Sequence, residues 1–127
     1  MLAALCEKAM IWPFRKKEPA NEDVLNEAFH FAMAWGKDWL QPVQDRLAKA
    51  YPQLSKKELD QYNTLAQEVM KFGHAQVYSL AELHGKQTSE KEFAEILLSK
   101  YPWVNKKNIS HCFSQGMYYA WKDNGLS

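Results

Sequence analysis

The feature that most constrains this chain is a joint that occurs twice. Tyr51-Pro52-Gln53-Leu54-Ser55-Lys56-Lys57 and Tyr101-Pro102-Trp103-Val104-Asn105-Lys106-Lys107 stand fifty residues apart, and each reads as helix, tight turn, helix. Upstream, Leu40, Val43 and Leu47 in one case and Phe93, Ile96 and Leu97 in the other recur at helical spacing. The proline ends that helix, because it has no N–H to donate and pushes the residue before it out of α geometry. Ser55 and Asn105 then offer side-chain oxygens to the open N–H groups of a following helix. The expected fold is all-α: a compact bundle of about five helices containing two helix–turn–helix hairpins. Aligned over 47–73 and 97–123, five of twenty-seven positions are identical. Duplication and convergence on a good joint both account for that much. Ala66 and Gly116 fall at the same place in the two second helices, which leads us to expect a close crossing there.

The remaining segments follow the same period. Asn21 caps a first helix, with Glu22 and Asp23 in its first turn, a stripe of Val24, Ala28, Phe31, Ala32 and Trp35, and Gly36 as its close. A second helix is expected from about Lys37 to Ala50, with Pro42 in its first turn or two, where a missing N–H costs least. The third opens on the capping box Ser55-Lys56-Lys57-Glu58. Its stripe of Leu59, Tyr62, Ala66, Val69, Gly73, Val77 and Leu80 carries it to about Leu83, a rod of roughly 40 Å at ~1.5 Å per residue, with Gly73 as the place for a kink or a break. After Gly85-Lys86-Gln87, a second capping box, Ser89-Glu90-Lys91-Glu92, opens the fourth. The fifth runs from Lys106 to Lys122, with Ile109, Cys112, Phe113, Gly116, Met117 and Ala120 on one face and Asp123-Asn124-Gly125 as its stop.

Residues 1–20 stand apart as a partly apolar, partly basic extension, and 21–127 read as a single helical domain. Met1 to Ile11 contains Glu7 and Lys8, which a signal peptide's apolar core excludes, and Met10 reads as an alternative start. Ile11, Trp12 and Phe14 before Arg15, Lys16 and Lys17 have the make-up of a marginal membrane-surface contact; packing of both aromatics on the core is the favoured reading. No run approaches the roughly 18 apolar residues of a membrane span. A hydrophobic content of 46% with 24% charged residues is that of a soluble globular chain, and the 13% aromatic content makes its core aromatic-rich. Cys6 and Cys112 supply no disulfide framework, which suits a reducing, cytoplasmic setting, and the chain has a bacterial style.

Charge argues against a DNA-binding helix–turn–helix protein, the first alternative. Between 37 and 84, Lys37, Arg46, Lys49, Lys56, Lys57 and Lys71 are matched one for one by Asp38, Asp45, Glu58, Asp60, Glu68 and Glu82, and the net charge is +1. Duplex affinity rests largely on phosphate neutralisation, and the base-reading residue, arginine, occurs only at Arg15 and Arg46. An enzyme or metal-binding bundle, the second alternative, finds equally little. His30, His74, His84 and His111 form no HExxH pair, no C-x-x-C set accompanies them, and phosphate-binding loops and the nucleophile elbow are missing. His111 and Cys112 are adjacent on a helix and point about 100° apart. Cys112 lies on the apolar stripe, where a thiol is inert. One Glu-x-x-His pair, Glu27 and His30, has no second copy to complete a carboxylate-bridged site. Neither a catalytic residue, a cofactor, a resident metal nor a small-molecule substrate is therefore assigned. Binding remains. Trp103, Tyr118, Tyr119 and Trp121 widen the apolar face of the fifth helix beyond one stripe, and they are the expected interaction surface if that helix is not simply central. The expected role is a non-enzymatic protein-interaction or regulatory module, whose partner is another protein or a second copy of this chain.

Overall fold

Side chains that can cap a helix stand at four of the five helix starts among the described residues. The structure, a computed structural model, describes residues 21–34 and 41–124. Within them lie α1 (Glu22–Ala32), α2 (Gln44–Ala50), α3 (Lys56–His84), α4 (Glu90–Lys100) and α5 (Lys106–Asn124), with a 3-10 turn at Gly85–Gln87 and no strand. The all-α bundle is thus the observed class. Asn21 Oδ1 accepts from the Asp23 and Val24 N–H groups. Ser55 and Glu58 close the expected capping box, Ser89 Oγ accepts from the Glu92 N–H, and Asn105 Oδ1 accepts from the Asn108 N–H. The extension 1–20, with Cys6, Met10, Trp12 and Phe14, lies outside the described residues, as do Trp35, Gly36, Lys37, Leu40 and Gly125.

Three expectations need correction. Pro42 precedes α2 instead of sitting in its first turn, and α2 has seven residues. The Arg46 guanidinium explains this: it takes the carbonyls of Gln41 and Pro42 at 3.1 Å and that of Phe31 at 2.8 Å, holding the segment before Val43 open. In α1 the core positions are Val24, Leu25, Ala28, Phe29 and Ala32. Phe31 is only half-buried and lies under Arg46, whose guanidinium carbon is 5.4 Å from the ring centre. Gly73 does not break α3, which runs its 29 residues without interruption. Its missing side chain serves packing. A Cβ at Gly73 would stand 2.5 Å from Cys112 Sγ, and one at Gly116 would stand 2.8 Å from Val77 Cβ. The close crossing of α5 is therefore with the second half of α3, through Gly73 and Val77, and not with Ala66.

These contacts also fix direction. Residue numbers rise together along α3 and α5 (Gly73 with Cys112, Val77 with Gly116) and along α1 and α5 (Asn26 with Asn108, Met33 with Gln115). So α1, α3 and α5 run parallel, and the short α2 and α4 return between them. The central rod is α3, which packs against each of the other four helices. Phe29, Met33, Val43, Leu47, Val69, Val77, Phe93 and Leu97 form the completely buried heart of the core.

The two joints have the same backbone. Tyr51 ends α2 at φ −134°, ψ 75°, and Tyr101 ends α4 at φ −129°, ψ 76°. Both tyrosines donate their N–H to the leucine four residues before, at 2.8 Å, and both accept from the residue three later, Leu54 at 3.1 Å and Val104 at 3.2 Å. Burial repeats at the same offset: Val43 with Phe93, Leu47 with Leu97, Tyr62 with Cys112, Leu65 with Gln115 and Met70 with Ala120 are all inside.

Candidate functional site

The four aromatic residues singled out in sequence do not form one surface. Trp103 is core: only 8% of it is exposed, and its ring stands edge-on to Phe29 at 6.3 Å and to Tyr101 at 6.2 Å. Its place after a turn proline suggested a surface, but α1 lies over that turn and buries it. The indole N–H meets no acceptor among the described residues, a cost of roughly 1–3 kcal/mol that the ring packing has to outweigh.

The other three remain together at the C-terminal end of α5. Tyr118 and Trp121, one turn apart, are 44% and 54% exposed, with ring centres 6.1 Å apart. Tyr119 is half-buried, 5.8 Å from Tyr118 on one side and 5.3 Å from the His74 ring on the other. Beside them Tyr78 of α3 donates its hydroxyl to Asp123 Oδ2, a bond that pushes its pKa up to about 12. The fifth helix thus has an apolar stripe turned inward and an aromatic strip turned out.

A second assembly, not anticipated from sequence, runs along the seam between α1 and α5 in three polar steps. At the first, Asn26 donates to the Trp103 carbonyl at 2.9 Å and accepts from the Asn105 N–H at 2.9 Å, while Asn108 Nδ2 donates to the Asn26 backbone carbonyl at 2.8 Å. At the second, the rings of His30 and His111 stand 6.0 Å apart at 62°. At the third, buried Gln115 donates to the Met33 carbonyl at 2.9 Å, and its Oε1 lies 3.0 Å from His74 Nε2. With the Gln115 amide nitrogen engaged by a carbonyl, its oxygen faces His74, so Nε2 of that ring carries the proton. His74 is held below the usual histidine range by burial first, with His111 adding to the effect and the Gln115 bond opposing it. His111 is held below it by burial, then by His30 and Lys107. The signal in the sequence was the helical spacing of Asn26, His30 and Met33 on one strip and of Asn108, His111 and Gln115 on another. Only the packing of the two strips gives it meaning.

Beside this seam opens a polar groove of about 400 Å³, lined by Asp23, Asn26, Glu27, His30, Tyr51, Asn105, Lys107 and Asn108. Glu27 and His30 both line it, but the asparagines are committed to one another, and among the described residues no three metal-binding side chains converge. Cys112 is fully enclosed, and burial drives its thiol up to about 12, far from a nucleophile's range. Lys106 and Lys107, the residues a DNA reader would turn to phosphate, are exposed at the start of α5, a helix whose apolar face is closed on α3. Among the described residues no helix is long and apolar enough to cross a membrane. No protein-family model, curated protein or solved structure matches this chain, so its candidate site stands on geometry alone.

Proposed function

We propose that this chain is a helical protein-interaction module without chemistry of its own, and that it meets a protein partner through the outer strip of α5 centred on Trp121 and Tyr118. The observation that carries this reading is their joint exposure one turn apart on a helix whose other side is in the core. Large aromatic side chains with rigid rings and a polar edge dominate binding energy at protein interfaces, and a monomer in water gains nothing by displaying two together. The near-neutral charge favours a protein over a nucleic acid as partner. The test is size-exclusion chromatography with light scattering, followed by affinity capture, on the wild type and on Trp121→Ala. Wild type is expected to self-associate or to retain a partner, and the variant, equally folded by circular dichroism, to lose it. An association unaffected by Trp121→Ala and by Tyr118→Ser counts against this surface.

A further inference from the structure

We propose that the seam between α1 and α5 is a proton-operated latch: a second proton on the His30–His111 pair loosens the last turn of α1, His30 to Met33, from α5. Three of the four histidines meet here from three different helices, His30 from α1, His74 from α3 and His111 from α5. The α1–α5 contact consists of polar steps that charge can disturb. The neighbouring α3–α5 contact has Gly73, Val77, Cys112 and Gly116 at its closest approach, which hold no charge at neutral or mildly acid pH, with the His74–Gln115 bond beside them.

The charges around the pair set the direction. From its own helix His111 faces Lys107, one turn before it; from α1 it faces His30; from α3 it faces His74. On α1, Glu27 stands one turn before His30 and lines the same groove as Lys107, with Asp23 a turn further back. A proton on His111 meets Lys107 on its own helix and the His30 ring across the seam, and both oppose it. His74 donates from Nε2 to Gln115 whether neutral or charged, so protonating it adds repulsion without releasing Gln115. His111 and His74 titrate below the free-histidine value, so the folded chain binds fewer protons than the unfolded one as pH falls beneath about 6.5. Their contribution to stability is complete above that pH and is lost as the pH drops through their folded values.

The test is hydrogen–deuterium exchange on the whole chain at pH 7.5 and 5.5, corrected for the intrinsic pH dependence of exchange. The amides of 30–34 are expected to lose roughly tenfold in protection at the lower pH, while those of 112–120 hold. His111→Gln, neutral at both values, is expected to remove most of the difference, His74 being left to titrate. His30 is exposed, so His30→Gln is the variant to use if the first does not fold. Equal protection of 30–34 at the two pH values overturns the latch, as does the same acid loss in the glutamine variants. A uniform loss across the whole chain overturns it too, because that is global acid unfolding.

Discussion

The two Tyr-Pro joints share a backbone and differ in what closes them. In the first, Ser55 and Glu58 satisfy each other, three residues apart. In the second, Asn105 caps Asn108 in the same way, but its own N–H is met by Asn26, 79 residues distant, and Asn108 takes the place of Glu58 to reach back to α1. The need is identical in both, an open N–H at the start of a helix. One copy meets it locally and the other from across the fold. The first joint consequently stays half-wet, with Tyr51, Leu54 and Leu59 partly exposed. The second is sealed, with Tyr101, Trp103, Val104, Asn108 and Ile109 all buried. Equivalent backbones can thus hold very unequal shares of the stability.

The strongest way to break that comparison is to remove the tyrosines. Tyr101 lies 5.6 Å from the Phe72 ring and donates to Glu68 Oε2 at 2.6 Å, so Tyr101→Ala should cost about 3–5 kcal/mol in urea unfolding. Half-buried Tyr51→Ala should cost roughly 1–2 kcal/mol. Equal losses would mean that the joints are equally important after all. Next in size is the closure itself. Asn26→Ala strips partners from Asn105, Trp103 and Asn108 together and should cost about 2–3 kcal/mol, against ~1 kcal/mol for Glu58→Ala. A double-mutant cycle of Asn26 with Asn108 should give a coupling of roughly 0.5–3 kcal/mol; additive losses would separate the two. Close in size to the Glu58→Ala loss are the effects of exchanging the copies' small residues. Gly116→Ala drives a methyl to within 2.8 Å of Val77 Cβ, a cost that outweighs the ~1 kcal/mol gain in helix propensity and should leave a net loss of about 1–2 kcal/mol. Ala66→Gly should lose about 1 kcal/mol from propensity and a little packing. A Gly116→Ala variant more stable than wild type would show that the α3–α5 contact can widen at no cost.

What was legible in the sequence is what chain neighbours decide. Tyr-Pro ends, Ser55 and Asn105 caps, the length of α3 and the inward stripe of α5 all depend on residues within a turn or two, and all are present. Cys112 was legible as buried because it lay on that stripe. Pro42 misled because the force that keeps it out of α2 is Arg46 engaging three carbonyls at once. Trp103 misled because Phe29, which covers it, arrives from 74 residues upstream. The asparagine and histidine steps of the α1–α5 seam were invisible for the same reason: each half looks like an ordinary polar strip until the other is laid against it. Glycine, too, was read by local propensity at Gly73, where the deciding contact is the sulfur of Cys112 on another helix.

The parallel course of α1, α3 and α5 has an electrostatic consequence. Aligned peptide dipoles give each helix about half a positive charge at its start and half a negative charge at its end. In an up-and-down bundle these largely cancel. Here three helices of 11, 29 and 19 residues point one way, and only α2 and α4, 7 and 11 residues, oppose them. A chain with a net charge of only +1 therefore carries an axis of polarity that its composition conceals. The end where Asn21, Ser55 and Asn105 cap their helices is the positive pole. Trp121 and Tyr118 sit toward the negative one, where the helix ends and the π faces of the rings present the same sign to whatever approaches.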